Sequence, residues 1–85
     1  MKLIVSPAAL KRMADVPKRQ RALLMQKLDE FAAAPFERHP AATPLKGRDD
    51  VVRIRQGDWR AICRVDRAGQ TVVVDSIAHR REAYQ

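Results

Sequence analysis

Residues 51–66 read VVRIRQGDWRAICRVD, and they predict the centre of a β-sheet because they describe two strands joined by a tight turn. Gly57-Asp58 in the middle is a two-residue hairpin signal, which places Arg55 directly opposite Arg60. Side chains alternate along each strand, so one face of the hairpin is apolar and the other is cationic. The apolar face collects Val52, Ile54, Ala61 and Cys63, and the cationic face collects Arg53, Arg55 and Arg60.

Three arginines on one face of a hairpin have two interpretations. Like charges opposed across strands are destabilising, so the face is expected to bind an anion. The alternative is a solvated outer face, which is the usual position of charged strand residues.

The next strand favours anion binding. Arg67-Ala68-Gly69-Gln70 is a second turn signal, and Thr71 to Ala78 is rich in β-branched residues. Centring this turn on Ala68-Gly69 extends the apolar face by three pairs: Val65 with Val72, Cys63 with Val74, and Ala61 with Ser76. On the cationic face the same register places Asp75 beside Ile62 and Ile77 beside Arg60, with His79 just beyond the strand end. We therefore predict that a titratable imidazole adjoins the arginines.

The N-terminal half is predicted to form a strand and two helices that support this sheet. Residues 2–5 predict a short strand, and Ser6-Pro7 is a helix cap followed by a first-turn proline. We predict one helix from there to about Ala14 and a second from Pro17 to about Ala34. The second helix has an apolar stripe of Leu24, Leu28 and Phe31, widened by Met25 and Ala32.

A proline-interrupted loop then leads to the remaining strands. Its prolines are Pro35, Pro40 and Pro44, and we expect the sheet to resume at Leu45. The predicted fold class is α+β, with an N-terminal strand, a two-helix hairpin, an antiparallel three-stranded meander and a short C-terminal turn or helix.

Length and charge limit the function. The chain has 85 residues, 46% of them hydrophobic, which predicts one small domain over residues 1–85. Its net charge of +7 is spread over both halves, which suggests a nucleic acid, an anionic membrane or an acidic protein as the partner. No apolar run approaches the roughly 20 residues of a membrane span. The single cysteine, Cys63, lies on the predicted core face, which favours a small buried side chain and a cytoplasmic protein.

The residue inventory argues against several chemistries. His39 and His79 are the only histidines, and no acidic cluster has metal-ligand spacing, so we expect neither a metal nor a cofactor. His39, in the proline-rich loop, is interpreted as a surface residue. What remains is metal-free cleavage of RNA, in which the 2′-hydroxyl is the nucleophile and arginines stabilise the phosphate. His79 and Tyr84 are the candidates for proton transfer.

Two motifs carry a family resemblance. Gly57-Asp58-Trp59-Arg60 and the ending His79-Arg80-Arg81-Glu82-Ala83-Tyr84 resemble the RelE/ParE toxin superfamily, on the RelE side. The resemblance is specific from Leu45 to Tyr84 and is one of pattern before that. It implies a small cytoplasmic toxin of a type II toxin–antitoxin pair that cleaves mRNA, often on the ribosome, and leaves a 2′,3′-cyclic phosphate.

The resemblance also implies roles for individual residues. Arg60 corresponds to the phosphate-stabilising arginine and Tyr84 to a near-terminal tyrosine, while either Arg80 or Arg81 would assist the leaving group. Arg53 and Arg55 stand where well-known relatives carry lysine, and a guanidinium that stays protonated is a poor general base. His79 or Tyr84 must then accept the proton. The candidate catalytic residues are Arg60, His79, Arg81 and Tyr84, and the candidate substrate-binding residues are Lys46, Arg48, Arg53, Arg55 and Arg80.

Two other functions stay open. A ParE-like toxin would inhibit DNA gyrase and cleave nothing itself, and a catalytically silent module would only bind RNA or an antitoxin. The partners implied are a cognate acidic antitoxin, forming a hetero-oligomer with this chain, and mRNA with the ribosome. The antitoxin's C-terminal segment would fold on binding.

Overall fold

The computed structural model describes residues 1–45 and 47–82, leaving out the side chains of Arg48 and Asp49. Its elements are β1 (Lys2–Val5), α1 (Pro7–Met13), α2 (Lys18–Ala33), β2 (Ala42–Leu45), β3 (Arg48–Gln56), β4 (Trp59–Asp66) and β5 (Thr71–His79). The strands form one sheet in the order β1-β5-β4-β3-β2, with β1 parallel to β5 and the other neighbours antiparallel. The predicted α+β class is confirmed.

Local signals set the N-terminal elements as predicted. Ser6 caps α1, since its Oγ accepts a hydrogen bond from the Ala9 N–H at 3.1 Å, and Pro7 occupies the first turn. α2 begins directly after Pro17 and ends at Ala33. Both predicted helices are therefore confirmed to within a residue or two.

The hydrophobic core lies between the two helices and one face of the sheet. Leu24, Leu28 and Phe31 of α2 are buried there, as the apolar stripe predicted. The strands contribute the predicted apolar face, whose buried members include Val52, Ile54, Ala61, Cys63, Val65, Val72 and Val74. The other face of the sheet carries the arginines.

The sheet begins earlier than the sequence predicted. The segment expected to be loop as far as Leu45 contains β2, which pairs with β3 through Ala42 opposite Ile54 and Thr43 opposite Arg53. Pro44 lies inside this strand. β2 is an edge strand, where a proline removes no ladder hydrogen bond that the sheet needs, and so the proline did not prevent strand formation.

The β3–β4 register is confirmed in full, whereas the β4–β5 register is confirmed only in part. Arg55 lies opposite Arg60, and Cys63 lies opposite Val74, as predicted. The pairing then shifts, because Ile62 faces Ser76 and leaves Asp75 as an extra residue in β5. Three predicted neighbours are therefore wrong: Ala61 faces Ile77 rather than Ser76, Ile62 does not face Asp75, and Arg60 faces Ala78 rather than Ile77.

The physical reason for this bulge is burial of Ile77. The regular register would have placed Ser76 in the core and Ile77 among the arginines. One inserted residue reverses the alternation, so Ile77 becomes buried and Ser76 exposed. Burying an isoleucine side chain contributes about 1.5–3 kcal/mol, which favours the irregular pairing.

Candidate functional site

The cationic face of the β3–β4 hairpin is present as the sequence predicted. Gly57 takes a φ of 57° at the turn, in the left-handed region that favours glycine. Beyond it, Arg55 and Arg60 occupy directly opposed positions, and Arg53 lies two residues along β3. All three arginines alternate with core residues, so they lie on the face of the sheet that the helices do not cover.

The three arginines differ in exposure. Arg60 is buried, with 9% of its surface accessible, whereas Arg53 is half-buried and Arg55 is exposed. Arg55 is also held locally, because its Nε donates to the Gly57 carbonyl at 3.4 Å. Guanidinium groups stay protonated, so this face presents fixed positive charge and forked donors that suit a phosphate.

An ion pair lies at the end of the cationic face that is further from the turn, on β4. Arg64 Nε lies 3.3 Å from Asp75 Oδ2, the carboxylate of the bulged residue. Both side chains are more than two-fifths exposed. Arg64 is thus partly neutralised by Asp75 and lies on the same face further from the turn, which makes it a suitable control position.

His79 lies on the opposite side from the one predicted. The bulge places it across from Trp59, and the two rings meet edge-on with centroids 5.0 Å apart. Its Nδ1 accepts the Arg81 backbone N–H at 3.2 Å, so the neutral ring carries its proton on Nε2. His79 remains at the hairpin end of the sheet, but its ring packs toward the core residue Trp59 and not among the arginines.

The C-terminal segment closes over this end of the sheet. The Arg80 N–H donates to the Asp58 carbonyl at 2.6 Å, and Glu82 forms an ion pair with Arg12 of α1. Arg12 also lies over the Trp59 ring, with its guanidinium carbon 5.5 Å from the ring centroid. Arg12 was not among the predicted site residues, because nothing local in the chain links α1 to a segment 70 residues later.

An open cavity of about 630 Å³ results at this end of the sheet. It is lined by Arg12, Asp58, Trp59, His79, Arg80, Arg81 and Glu82. The structure therefore brings three predicted site residues together, His79, Arg80 and Arg81. Of the other candidates, Lys46 and Tyr84 lie outside the described residues, as does the side chain of Arg48.

His39 is not the free surface residue that the sequence suggested. Its side chain is only 17% exposed, and its Nε2 lies 3.0 Å from Glu30 Oε2. Its Nδ1 accepts the Ala41 N–H, also at 3.0 Å. The sequence gave a weak signal for this pair. Glu30 lies near the end of α2, and the loop that carries His39 follows this helix and turns back over it.

Neither histidine belongs to a metal-binding cluster in the part of the chain that the structure describes. No three His, Cys, Asp or Glu side chains among the described residues are grouped so that they could hold a metal ion. None of the helices described there is long and apolar enough to cross a membrane.

A family model decides the identity of the chain. The model for the ParE toxin of type II toxin–antitoxin systems, parDE, matches residues 3–84, which is nearly the whole sequence. The chain belongs to the RelE/ParE toxin family. No curated protein matches this toxin.

Solved RelE structures share the fold of the toxin. The RelE chain of the intact E. coli RelBE complex is 26% identical, with a TM-score of 0.78 over 92% of the toxin and 94% of that chain. A doubly substituted E. coli RelE bound to a RelB antitoxin peptide is 29% identical, with a TM-score of 0.78 over 98% of the toxin and 88% of that chain. The RelE–RelB complex of Pyrococcus horikoshii OT3 is 21% identical, with a TM-score of 0.79 over 93% of each chain, and shows the fold alone.

Proposed function

We propose that this toxin is a metal-independent endoribonuclease that cleaves mRNA, with the ribosome as the site of action. The observation that carries the proposal is the direct opposition of Arg55 and Arg60 on the helix-free face, with Arg53 beside them. Each guanidinium group stays protonated and offers forked N–H donors. A phosphodiester carries the opposite charge and accepts forked hydrogen bonds from arginine.

The reaction follows from what arginines can and cannot do. The 2′-oxygen attacks the adjacent phosphorus, the O2′–P bond forms, and the bond from phosphorus to the 5′-oxygen breaks. Arg53, Arg55 and Arg60 stabilise the charge that gathers on the non-bridging oxygens. The 2′-proton passes to a base, and a second proton goes to the departing 5′-oxygen. The products are a 2′,3′-cyclic phosphate and a 5′-hydroxyl end.

We propose His79 as the source of the second proton. Its Nδ1 faces the Arg81 N–H, so Nε2 is the outward nitrogen. A neutral imidazole that lost the Nε2 proton would become an imidazolate, so His79 acts as the imidazolium: it releases the Arg81 N–H contact, gives its Nε2 proton to the 5′-oxygen and becomes neutral, with Arg80 or Arg81 assisting. Tyr84 is left as the proposed acceptor of the 2′-proton, and Lys46 and Arg48 as further substrate-binding residues.

This geometry requires the RNA to pass round the hairpin end of the sheet. The arginines lie on one face, whereas the His79 ring lies on the Trp59 side. The turn at Gly57-Asp58 is the short edge between them. The scissile phosphate is accordingly proposed to lie at this edge, within reach of both faces.

The test is cleavage of naked RNA and of mRNA on translating ribosomes, each with excess chelator. We expect 2′,3′-cyclic phosphate ends, lost in Arg60→Ala and retained in Arg64→Ala, whose guanidinium is already paired with Asp75. Cleavage that disappears with chelator, or that is unchanged in both Arg60→Ala and His79→Ala, would contradict the mechanism. Salt-dependent RNA binding with no new ends would instead indicate a silent binding module.

Gyrase inhibition is the second candidate, favoured by the name of the matched family model, the ParE toxin. A ParE-like activity would block supercoiling by purified gyrase and leave translation running at first. The two proposals therefore predict opposite results in paired assays of supercoiling and translation.

We also propose an acidic antitoxin as the partner of this toxin in the cytoplasm. The net charge of +7 calls for a partner of opposite sign, and several structures that share the fold are RelE bound to RelB. Co-expression with the neighbouring open reading frame should yield a stable hetero-oligomer. Failure of the two chains to co-purify would count against this partner.

A further inference from the structure

A second cavity opens beside the cationic face, between α2 and the edge of the sheet. It encloses about 670 Å³, within the range of small-molecule sites. Arg53 and Arg55 line one side, and Gln26, Glu30 and His39 line the other, with Thr43 of β2 among the remaining residues. The proposed chemistry uses only the two arginines, so the polar residues on the opposite side need a separate explanation.

Those polar residues are held in a defined arrangement. Glu30 Oε2 lies 3.0 Å from His39 Nε2, and Glu30 Oε1 accepts from Gln26 Nε2 at 3.2 Å. His39 Nδ1 already accepts the Ala41 N–H, so Nε2 is the donor to Glu30. Both imidazole nitrogens are therefore occupied. His39 orients Glu30 and has no free lone pair with which to accept a proton from a ligand.

Glu30 keeps the capacity to bind a ligand. Its side chain is 51% exposed, and a carboxylate with two hydrogen bonds still has lone pairs on both oxygens. The hydrogen bonds from His39 and then Gln26 hold the pKa of Glu30 below its ordinary value. A carboxylate that resists protonation is a persistent acceptor and a weak base, which favours recognition over proton transfer.

A carboxylate acceptor opposite two guanidinium groups selects among the RNA bases. Guanine alone presents two adjacent N–H donors on its Watson–Crick edge, at N1 and at the exocyclic N2. These match the two oxygens of a carboxylate, whereas adenine places an acceptor at N1 and would face the carboxylate with a lone pair. The phosphate of the same nucleotide would then lie toward the arginines.

We propose that this cavity binds a guanine nucleotide of the RNA, with Glu30 accepting from N1–H and N2–H while Arg53 and Arg55 hold the phosphate. The inference rests on the proposed function, since it makes the cavity a base-recognition subsite beside the scissile phosphate. His39 is a positioning residue in this arrangement, because it acts through Glu30.

The experiment is an NMR titration of the purified full-length toxin with guanosine, inosine and adenosine 5′-monophosphates. We expect guanosine monophosphate to bind about tenfold more tightly than the adenosine compound, as for one well-formed bidentate contact. The inosine compound, which lacks N2, should be intermediate. Amide shifts should centre on Leu23, Gln26 and Thr43, which line the cavity.

Substitutions can distinguish recognition of the guanine base by Glu30 from binding of the phosphate by the arginines. Glu30→Gln should remove the guanine preference, because its amide offers one acceptor and one donor and suits adenine instead. Asp29→Asn is the matched control, since Asp29 is exposed on the same helix and does not line this cavity, and it should keep the preference. Arg55→Ala should weaken binding of all three nucleotides and leave their ratio unchanged.

The outcomes distinguish this inference from the proposed function. Equal affinity for the three nucleotides, or shifts that map away from the cavity, overturns the guanine site even if the toxin cleaves RNA. Guanine-selective binding at the cavity without any RNA cleavage keeps the site and overturns the nuclease. Because the shifts are mapped on the wild-type chain, a variant that fails to fold does not affect this conclusion.

Discussion

His79 packs edge-on against Trp59, with the ring centroids 5.0 Å apart and the ring planes at 86°. This contact exists because the extra residue Asp75 reverses the face of the sheet on which each later residue of β5 lies. An imidazole that a regular strand would have placed among arginines lies instead at the edge of the core. The arginines and the imidazole consequently lie on two sides of the same hairpin turn.

The first prediction concerns the buried arginine. Arg60→Ala should lower the single-turnover rate of RNA cleavage by about 10²–10³, the usual effect of removing one preorganised donor to a transition-state oxyanion. Arg60→Lys should recover only part of this loss, because an ammonium group cannot bind a phosphate in the bidentate manner. Rates should be measured at saturating toxin.

The control is Arg64→Ala, which removes a guanidinium paired with Asp75 and should change the rate by less than about threefold, as expected for an exposed pair. Equal losses in the two variants would show that the face acts through its total charge and that Arg60 has no special role.

The second prediction tests His79 as the proton donor to the leaving oxygen. His79→Ala should slow cleavage of ordinary RNA by about 10²–10⁴, the range for general acid catalysis. A substrate with sulfur in place of the 5′-oxygen has a leaving group that needs no proton. We expect that substrate to be cleaved equally well by wild type and His79→Ala. A persistent difference would mean that His79 acts by holding Trp59 and the C-terminal segment in place.

The third prediction concerns the carboxylate beside His39. The pKa of Glu30 is below its ordinary value, chiefly because of its hydrogen bond with His39, so the ionised form is favoured in the folded state. The resulting stabilisation is present above the unfolded pKa of Glu30 and is lost as the pH falls through the folded value. His39→Ala should return the Glu30 pKa toward normal. A carboxyl-carbon NMR titration measures this, and an unchanged midpoint would contradict the pairing.

The fourth prediction concerns Cys63, which is fully buried in the core. Burial, with a smaller contribution from Asp75, raises the pKa of its thiol to about 12. The folded toxin should therefore not react with a thiol reagent at pH 8, whereas the chain in guanidinium chloride should react at once. Reaction of the native protein at the rate of a free thiol would contradict this placement.

Substitutions at Cys63 test its burial through their effect on the free energy of unfolding. Cys63→Ser should lower the free energy of unfolding by about 1–3 kcal/mol, because a hydroxyl is left in an apolar core. Cys63→Ala should cost less in free energy, since it introduces no polar group. Denaturant unfolding monitored by Trp59 fluorescence measures both.

Much of this architecture was predictable because its signals are local. The Gly57-Asp58 turn predicted every β3–β4 partner, and the Ser6-Pro7 cap predicted where α1 begins. Strand β2 was missed because a proline normally argues against a strand, and only its edge position makes Pro44 acceptable. The contacts of Arg12 with Glu82 and of Glu30 with His39 were missed because both depend on how separate elements pack.

Local sequence was enough to specify the cationic face, because turn chemistry and the two-residue alternation of a strand act over only a few positions. Arg53, Arg55 and Arg60 lie together for that reason alone. The side of the sheet on which His79 lies depends instead on packing between elements, because the bulge at Asp75 is favoured by burying Ile77 against the helices. The residues proposed to hold the phosphate could thus be identified from the hairpin, whereas the position of the proposed proton donor depended on the packing of the whole core.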